Sequence, residues 1–170
     1  MTIDVFGADE QHDCDVALSP LVTLSRDVLA AEGVRGGAEV SLLFVDETTI
    51  AELNERFMGK TGPTDVLSFP LEDDPVGGGR VPDSGGTGPG EPPEPEMPEL
   101  LGDVVVCPKV AQENARRDDV GYDDELALLV VHGMLHLLGW DHEAPDEADR
   151  MEARERDLLR MHWSPTWAGR

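Results

Sequence analysis

Basic residues are scarce in this chain: 13 Lys and Arg stand against 36 Asp and Glu, leaving a formal net charge of −23 over 170 residues. A balance so acidic excludes a protein that holds nucleic acid through a general positive field. Cysteine is nearly absent, and Cys14 with Cys107 cannot build a disulfide framework. No apolar run reaches the ~18 residues needed to span a bilayer, and the strongest, Leu126 to Leu138, already carries two histidines. The chain does not open with a charged segment, an apolar stretch and a small-residue cleavage site, so the cytoplasm is the expected compartment. Aromatic residues make up only 5%, yet 39% apolar residues over this length can bury a sizeable core in one domain, which excludes a wholly disordered chain.

The acidity is unevenly placed. Between Glu72 and Glu99 lie eight acidic residues and one base, Arg80, among repeated Gly and Pro such as Pro92-Pro93-Glu94-Pro95. Such composition buries too little apolar surface to offset the entropy of ordering it, so a flexible acidic insert is expected at about 73–99. The first fifteen residues add Asp4, Asp9, Glu10, Asp13 and Asp15 without a base. What remains is milder, and leaves room for a local positive patch around Arg56, Lys60, Lys109, Arg116 and Arg117.

Helical and strand patterns interleave along the rest. A strand is expected at Thr2–Phe6, then a helix capped by Ser19 with Pro20 in first position and stopped by Gly33. Val40–Val45 reads as a buried strand, and Asp46 caps a helix that carries Ile50, Leu53 and Phe57 and stops near Gly59. Val66–Phe69 and Asp103–Cys107 are strands; Pro108 to about Arg117, Asp124 to Leu138, and Pro145 to about Met161 are helices. The alternation predicts a sheet of about four strands, mixed rather than all parallel, covered by helices.

The chemistry concentrates between Val131 and His142. His132 and His136 stand one helical turn apart, the spacing that lets two imidazoles converge on one ion. Gly139 ends the helix, and a tight turn through Trp140 and Asp141 can fold His142 back as a third nitrogen ligand, leaving a fourth position for water. A lone histidine on an apolar helix is more often a satisfied core residue. With five histidines in the chain, however, the chance expectation for this triple spacing is on the order of 0.004. One ion per chain is therefore expected on His132, His136 and His142. Neutral imidazoles in a three-ligand set suit Zn2+ first, with nickel, cobalt and copper also compatible. The His-Glu-x-x-His peptidases place their general base directly after the first histidine, where this chain has Gly133. A metal-bound water whose pKa falls toward ~7 can attack without that base, which makes the three histidines the expected catalytic set. Asp141 could orient a ligand ring as an acceptor or serve only the turn. His12 and His162 read as solvated, Cys107 as core, and Asp146 with Arg150 and Glu152 with Arg156 as ordinary i,i+4 pairs.

The segment His132-Gly-Met-Leu-His136-Leu-Leu-Gly-Trp-Asp141-His142 resembles the signature of the YbeY family of bacterial metal-dependent endoribonucleases. Gly62-Pro63-Thr64-Asp65-Val66-Leu67-Ser68-Phe69-Pro70 resembles that family's second hallmark, and Leu101-Gly102-Asp103-Val104-Val105 its strand after a variable loop. The likeness runs from about Val40 to Met161. It implies one α+β domain over 1–170 with the metal site at the end of a central helix, and zinc on His132, His136 and His142. It implies cleavage of single-stranded rRNA near the 3′ end of 16S rRNA, with a role in quality control of the small subunit and the 70S ribosome. The partners implied are the small ribosomal subunit with its proteins and an Era-like GTPase, with no membrane. The family commonly carries an arginine directly before the Gly-Lys that ends the second helix, and this chain has Met58 there. Lys60, beyond the helix stop, is the better substitute for phosphate contact, since on an α-helix Arg56 would be turned by roughly 200° from Met58. Two other classes share parts of the pattern: a zinc peptidase, and a non-catalytic zinc-containing ribosome assembly factor.

Overall fold

The computed structural model describes residues 2–71 and 99–163; the acidic insert falls outside the described residues. Its elements are β1 (Asp4–Asp9), α1 (Leu18–Ala31), β2 (Ala38–Phe44), α2 (Glu47–Leu53), a π-helical turn (Asn54–Met58), β3 (Val66–Pro70), β4 (Glu99–Val106), α3 (Pro108–Asp118), α4 (Tyr122–Leu137) and α5 (Pro145–His162). The four strands form one mixed sheet in the order β1-β2-β4-β3. β1, β2 and β4 run parallel, while β3 lies antiparallel on β4 at one edge.

Local signals place most of these elements. Strand β2 alternates buried and half-buried residues along its length, as a strand between two neighbours should. Asp46 caps α2, its Oδ1 accepting the Thr49 N–H at 2.8 Å. Three expectations shift. β1 begins and ends later than Thr2–Phe6, because its length is set by parallel pairing from Asp4 opposite Glu39 to Asp9 opposite Phe44. Ala17, with no side-chain cap, precedes α1, so Ser19 and Pro20 sit inside the first turn, where a missing N–H costs no intrahelical bond. β4 starts at Glu99 rather than Asp103, because the register against β2 skips Leu101 in a bulge that keeps both halves paired.

The larger core lies on the sheet face covered by α1, α4 and α5. There Leu21, Leu24, Phe44, Val104, Met134 and Leu158 are all but inaccessible to solvent. Each such side chain contributes roughly 1.5–3 kcal/mol by leaving water. A smaller cluster of Val45, Ile50, Leu67, Val105 and Cys107 seals α2 to the other face. α4 packs on β3, β4, α1, α3 and α5, so its C-terminal end is held from several sides.

Candidate metal centre

His132 and His136 lie one turn apart near the end of α4, and their Nε2 atoms approach to 3.0 Å. The helix closes in a left-handed turn at Gly139, whose φ of 96° is a conformation glycine adopts without strain. Two bonds lock the turn: Trp140 N–H donates to the Leu135 carbonyl and Gly139 N–H to that of His136, both at 3.0 Å. The reversal brings His142 back, its ring centroid 5.4 Å from that of His132 and 4.7 Å from that of His136. One ligand atom from each of the three histidines lies within 4.8 Å of the others. His132 and His136 are partly buried and His142 is exposed, so the cluster opens to solvent on one side. Burial, then the nearby His132 and His142, hold the His136 imidazole below its ordinary 6.5 and so favour the neutral, ligating form. Three converging imidazole nitrogens fit a divalent transition metal of the zinc type.

Glu155 is the residue that sequence reasoning missed. Its Oε1 lies 2.5 Å from Nδ1 of His132, and its carboxylate is buried. A carboxylate on Nδ1 fixes the proton there and turns Nε2, with its lone pair, toward the other two histidines. The signal was present: Glu155 falls on the buried stripe of α5 with Met151, Leu158 and Leu159, an acid where an apolar residue is expected. Asp141, the nearer candidate, does other work. Its Oδ1 accepts the backbone N–H groups of His142 at 2.7 Å and Glu143 at 3.3 Å, so it shapes the turn and Glu155 holds the ring.

Gly133 is where α4 crosses the sheet. A Cβ there would stand 2.5 Å from Cγ1 of Val104 and 3.2 Å from Cγ2 of Val66. The same close approach lets Ser68 Oγ donate to the Gly133 carbonyl at 2.8 Å. A glutamate at this position has no room and would point at the sheet, which removes the peptidase arrangement on steric grounds.

Two clefts flank the histidines. One, of about 440 Å³, is lined by His132, His136 and His142 together with Asn54, Met58 and Lys60. The other, of about 320 Å³, lies between α3, α4 and α5, with His132 and His142 joined by Asp65, Asn114, Arg117 and Glu152. Lys60 thus shares a cleft with the triad. Arg56 does not line it; its guanidinium carbon sits 5.4 Å from the centroid of the Phe57 ring. The last turn of this helix is wound wider than an α-helix, with Lys60 N–H reaching the Asn54 carbonyl at 3.3 Å, and Met58 is the side chain delivered to the cleft. Asn54, buried, donates from Nδ2 to the Gly62 carbonyl at 2.9 Å and so ties down the loop that carries Lys60.

The remaining candidates fall elsewhere. His12 is exposed, and His162 stands 4.0 Å from Asp27, away from the cluster. Cys107 is core. Among the described residues, neither Asp146 with Arg150 nor Glu152 with Arg156 closes to an ion pair. On α5 it is Arg154 that pairs, 2.5 Å from Glu32 beyond the end of α1, a partner that only tertiary packing supplies.

The family model described as Endoribonuclease YbeY matches residues 8–162. Endoribonuclease YbeY of Mycolicibacterium vanbaalenii is 43% identical over 159 residues, covering 94% of this chain and 79% of the relative. Endoribonuclease YbeY of Thermobifida fusca is 43% identical over 164 residues, 94% of this chain and 92% of the relative. The solution structure of TM1509 from Thermotoga maritima superposes with a TM-score of 0.55 at 24% identity, covering 99% of each chain, a likeness of fold.

Proposed function

Because the chain belongs to the YbeY endoribonuclease family, we propose that it is a zinc-dependent endoribonuclease that cleaves single-stranded RNA in maturation of the 16S rRNA 3′ end and in ribosome quality control. The observation that carries this reading is the convergence of His132, His136 and His142 on one point beside an open cleft. When bound, a zinc ion there supplies Lewis acidity and lowers the pKa of coordinated water toward ~7. The chain's own residues do the rest. Glu155 holds the His132 ring in its ligating tautomer, and the turn at Gly139, braced by Asp141, sets His142. Lys60, exposed within the cleft, offers a point charge to a phosphate, and Arg56, outside the cleft lining, is the lesser candidate for a second contact.

The partners that suit this reading are single-stranded rRNA presented on the small ribosomal subunit, with its proteins and an Era-like GTPase, in the cytoplasm; among the described residues no helix is long and apolar enough to cross a membrane. A second reading, a zinc-containing assembly factor that binds the subunit without cutting, is favoured by one observation: Met58 lines the cleft where the family commonly has arginine, in a chain of net charge −23. Elemental analysis paired with RNA cleavage separates the two. Nuclease action predicts about one metal per chain and cleavage that is lost with chelator, restored by zinc, and absent in His136→Ala. Metal without cleavage, on free RNA or on small subunits, assigns the assembly role.

A further inference from the structure

Two clefts open onto His132 and His142, and Lys60 lines only one of them. The other, of about 320 Å³, lies between α3, α4 and α5. Leu128, Leu129 and Met151 give it an apolar wall, and the rest of its lining is largely acidic. Glu125 and Glu155 are buried there. Arg117, the one lysine or arginine among the described lining residues, is paired with Asp118, Nε to Oδ1 at 3.2 Å. A phosphate entering this cleft meets several carboxylates and no unpaired cation. What suits it is a neutral, flat group with an apolar face and hydrogen-bond donors along its edge. The carboxylates are not equally available. Glu155 is taken by Nδ1 of His132. Asp65, which lines both clefts, accepts the Val66 N–H on Oδ1 at 2.8 Å and Asn114 Nδ2 on Oδ2 at 3.1 Å. Glu152, exposed on α5, makes no hydrogen bond or ion pair with any described residue.

We propose that this second cleft receives the base of a nucleotide beside the bond to be cut, reads its Watson–Crick edge through Glu152, and so favours an unpaired guanine. The proposal rests on the nuclease reading and adds a specificity-determining residue to it. An endonuclease cuts within a strand, so nucleotides extend to both sides of the metal centre, and Lys60 marks the side suited to the phosphate backbone. Guanine presents two adjacent donors, N1–H and the N2 amino group, which match the two oxygens of one carboxylate. Adenine, cytosine and uracil each set an acceptor beside their donor, and that acceptor is repelled by the carboxylate. The edge is free only in an unpaired base, so the same contact rejects a duplex.

The test uses the metal-loaded full chain and single-stranded oligoadenylates that carry one guanosine at successive positions, with cleavage sites mapped and kcat/KM measured. Wild type should cut beside the guanosine about tenfold or more faster than at the same position of the all-adenosine strand. Inosine, which lacks the N2 amino group, should lose most of that advantage. Glu152→Gln and Glu152→Ala should bring the guanosine rate down to the adenosine rate at unchanged metal content, a change of preference that a merely structural role would not produce. Glu147→Ala, on the same helix but in the hollow with Trp140, should keep the preference. Equal cleavage beside every base by wild type, or a guanosine preference that survives in both Glu152 variants, overturns the base subsite and leaves the nuclease reading standing. If nothing is cut, equilibrium binding of the same oligonucleotides decides. Tighter binding of the guanosine strand that Glu152→Ala abolishes supports the subsite and overturns the nuclease reading, and binding without preference overturns both.

Discussion

Nδ1 of His132 on α4 lies 2.5 Å from Oε1 of Glu155 on α5, across 23 residues of sequence and a helix-helix interface. The pair joins one arm of the histidine cluster to the hydrophobic core, because Glu155 is buried on the same stripe as Met151 and Leu158. Orientation of the His132 ring is thereby coupled to the packing of the last helix.

Glu155→Gln should therefore lower metal affinity by roughly 10–100-fold while leaving the fold intact, and Glu155→Ala should lower it further by leaving Nδ1 without its acceptor. Chelator competition on the purified variants measures this. Wild-type affinity in both would show that the carboxylate only fills space.

Each of His132→Ala, His136→Ala and His142→Ala should reduce the metal content of the purified protein from about one per chain to a small fraction, since two imidazoles bind far more weakly than three. His12→Ala and His162→Ala, both outside the cluster, should leave it unchanged. Elemental analysis against protein concentration decides, and occupancy that survives all three single changes would displace the site.

The pH dependence follows from His136. Its folded-state pKa is held below the ordinary 6.5 by burial and by its two histidine neighbours. The unfolded chain then takes up a proton that the folded chain resists. The stability contributed by neutral His136 is full above 6.5 and is lost as pH falls from there through the lowered folded value. Thermal melts of metal-free protein from neutral pH down to about 5 should show a Tm that declines on acidification, and His136→Phe should flatten the decline across this window. An unchanged slope would place the acid sensitivity in other groups.

At Gly133 a single methyl group should be costly. Gly133→Ala drives Cβ to 2.5 Å from a stiff, buried valine, Val104. Overpacking of this kind destabilises by about 1–3 kcal/mol, or ~2–4 °C of Tm per kcal/mol at this chain length. A melt equal to wild type would mean that α4 can lift off the sheet without loss.

Lys60→Ala should weaken RNA binding more than Arg150→Ala, because Lys60 shares the triad's cleft whereas Arg150 lies in a separate hollow with Trp140 and Glu147. Salt has opposing effects here: it screens the global repulsion within a Debye length of ~10 Å at 0.1 M and weakens each phosphate contact. Binding isotherms across salt concentrations should be shallow or non-monotonic. A steep monotonic loss, or equal effects of the two substitutions, would move the RNA surface elsewhere.

Much of this protein was legible in the order of its residues. The caps and breakers Asp46, Gly59, Pro108, Gly139 and Pro145 act within a turn of where they stand, so they punctuate the elements as local chemistry requires. His132, His136 and His142 could be grouped because helical periodicity and one glycine turn are short-range geometry. The rest depended on which surfaces meet. Helix α1 starts at Leu18, ahead of the Ser19 expected to cap it, and the ion pair that α5 makes with α1's end is Arg154 with Glu32, a partner 122 residues away that no local spacing could supply.

What the sequence by itself determined is the element order, the three-histidine spacing and the acidity that forbids a broad RNA-binding surface. Only the tertiary structure decided that Glu155, not Asp141, holds the His132 ring, that Gly133 faces Val104, and that Met58 lines the same cleft as the three histidines. The division has a physical cause. Backbone hydrogen bonds and caps are settled within a few residues, whereas burial, steric exclusion and side-chain pairing depend on distant segments brought together by the exclusion of water from a shared core.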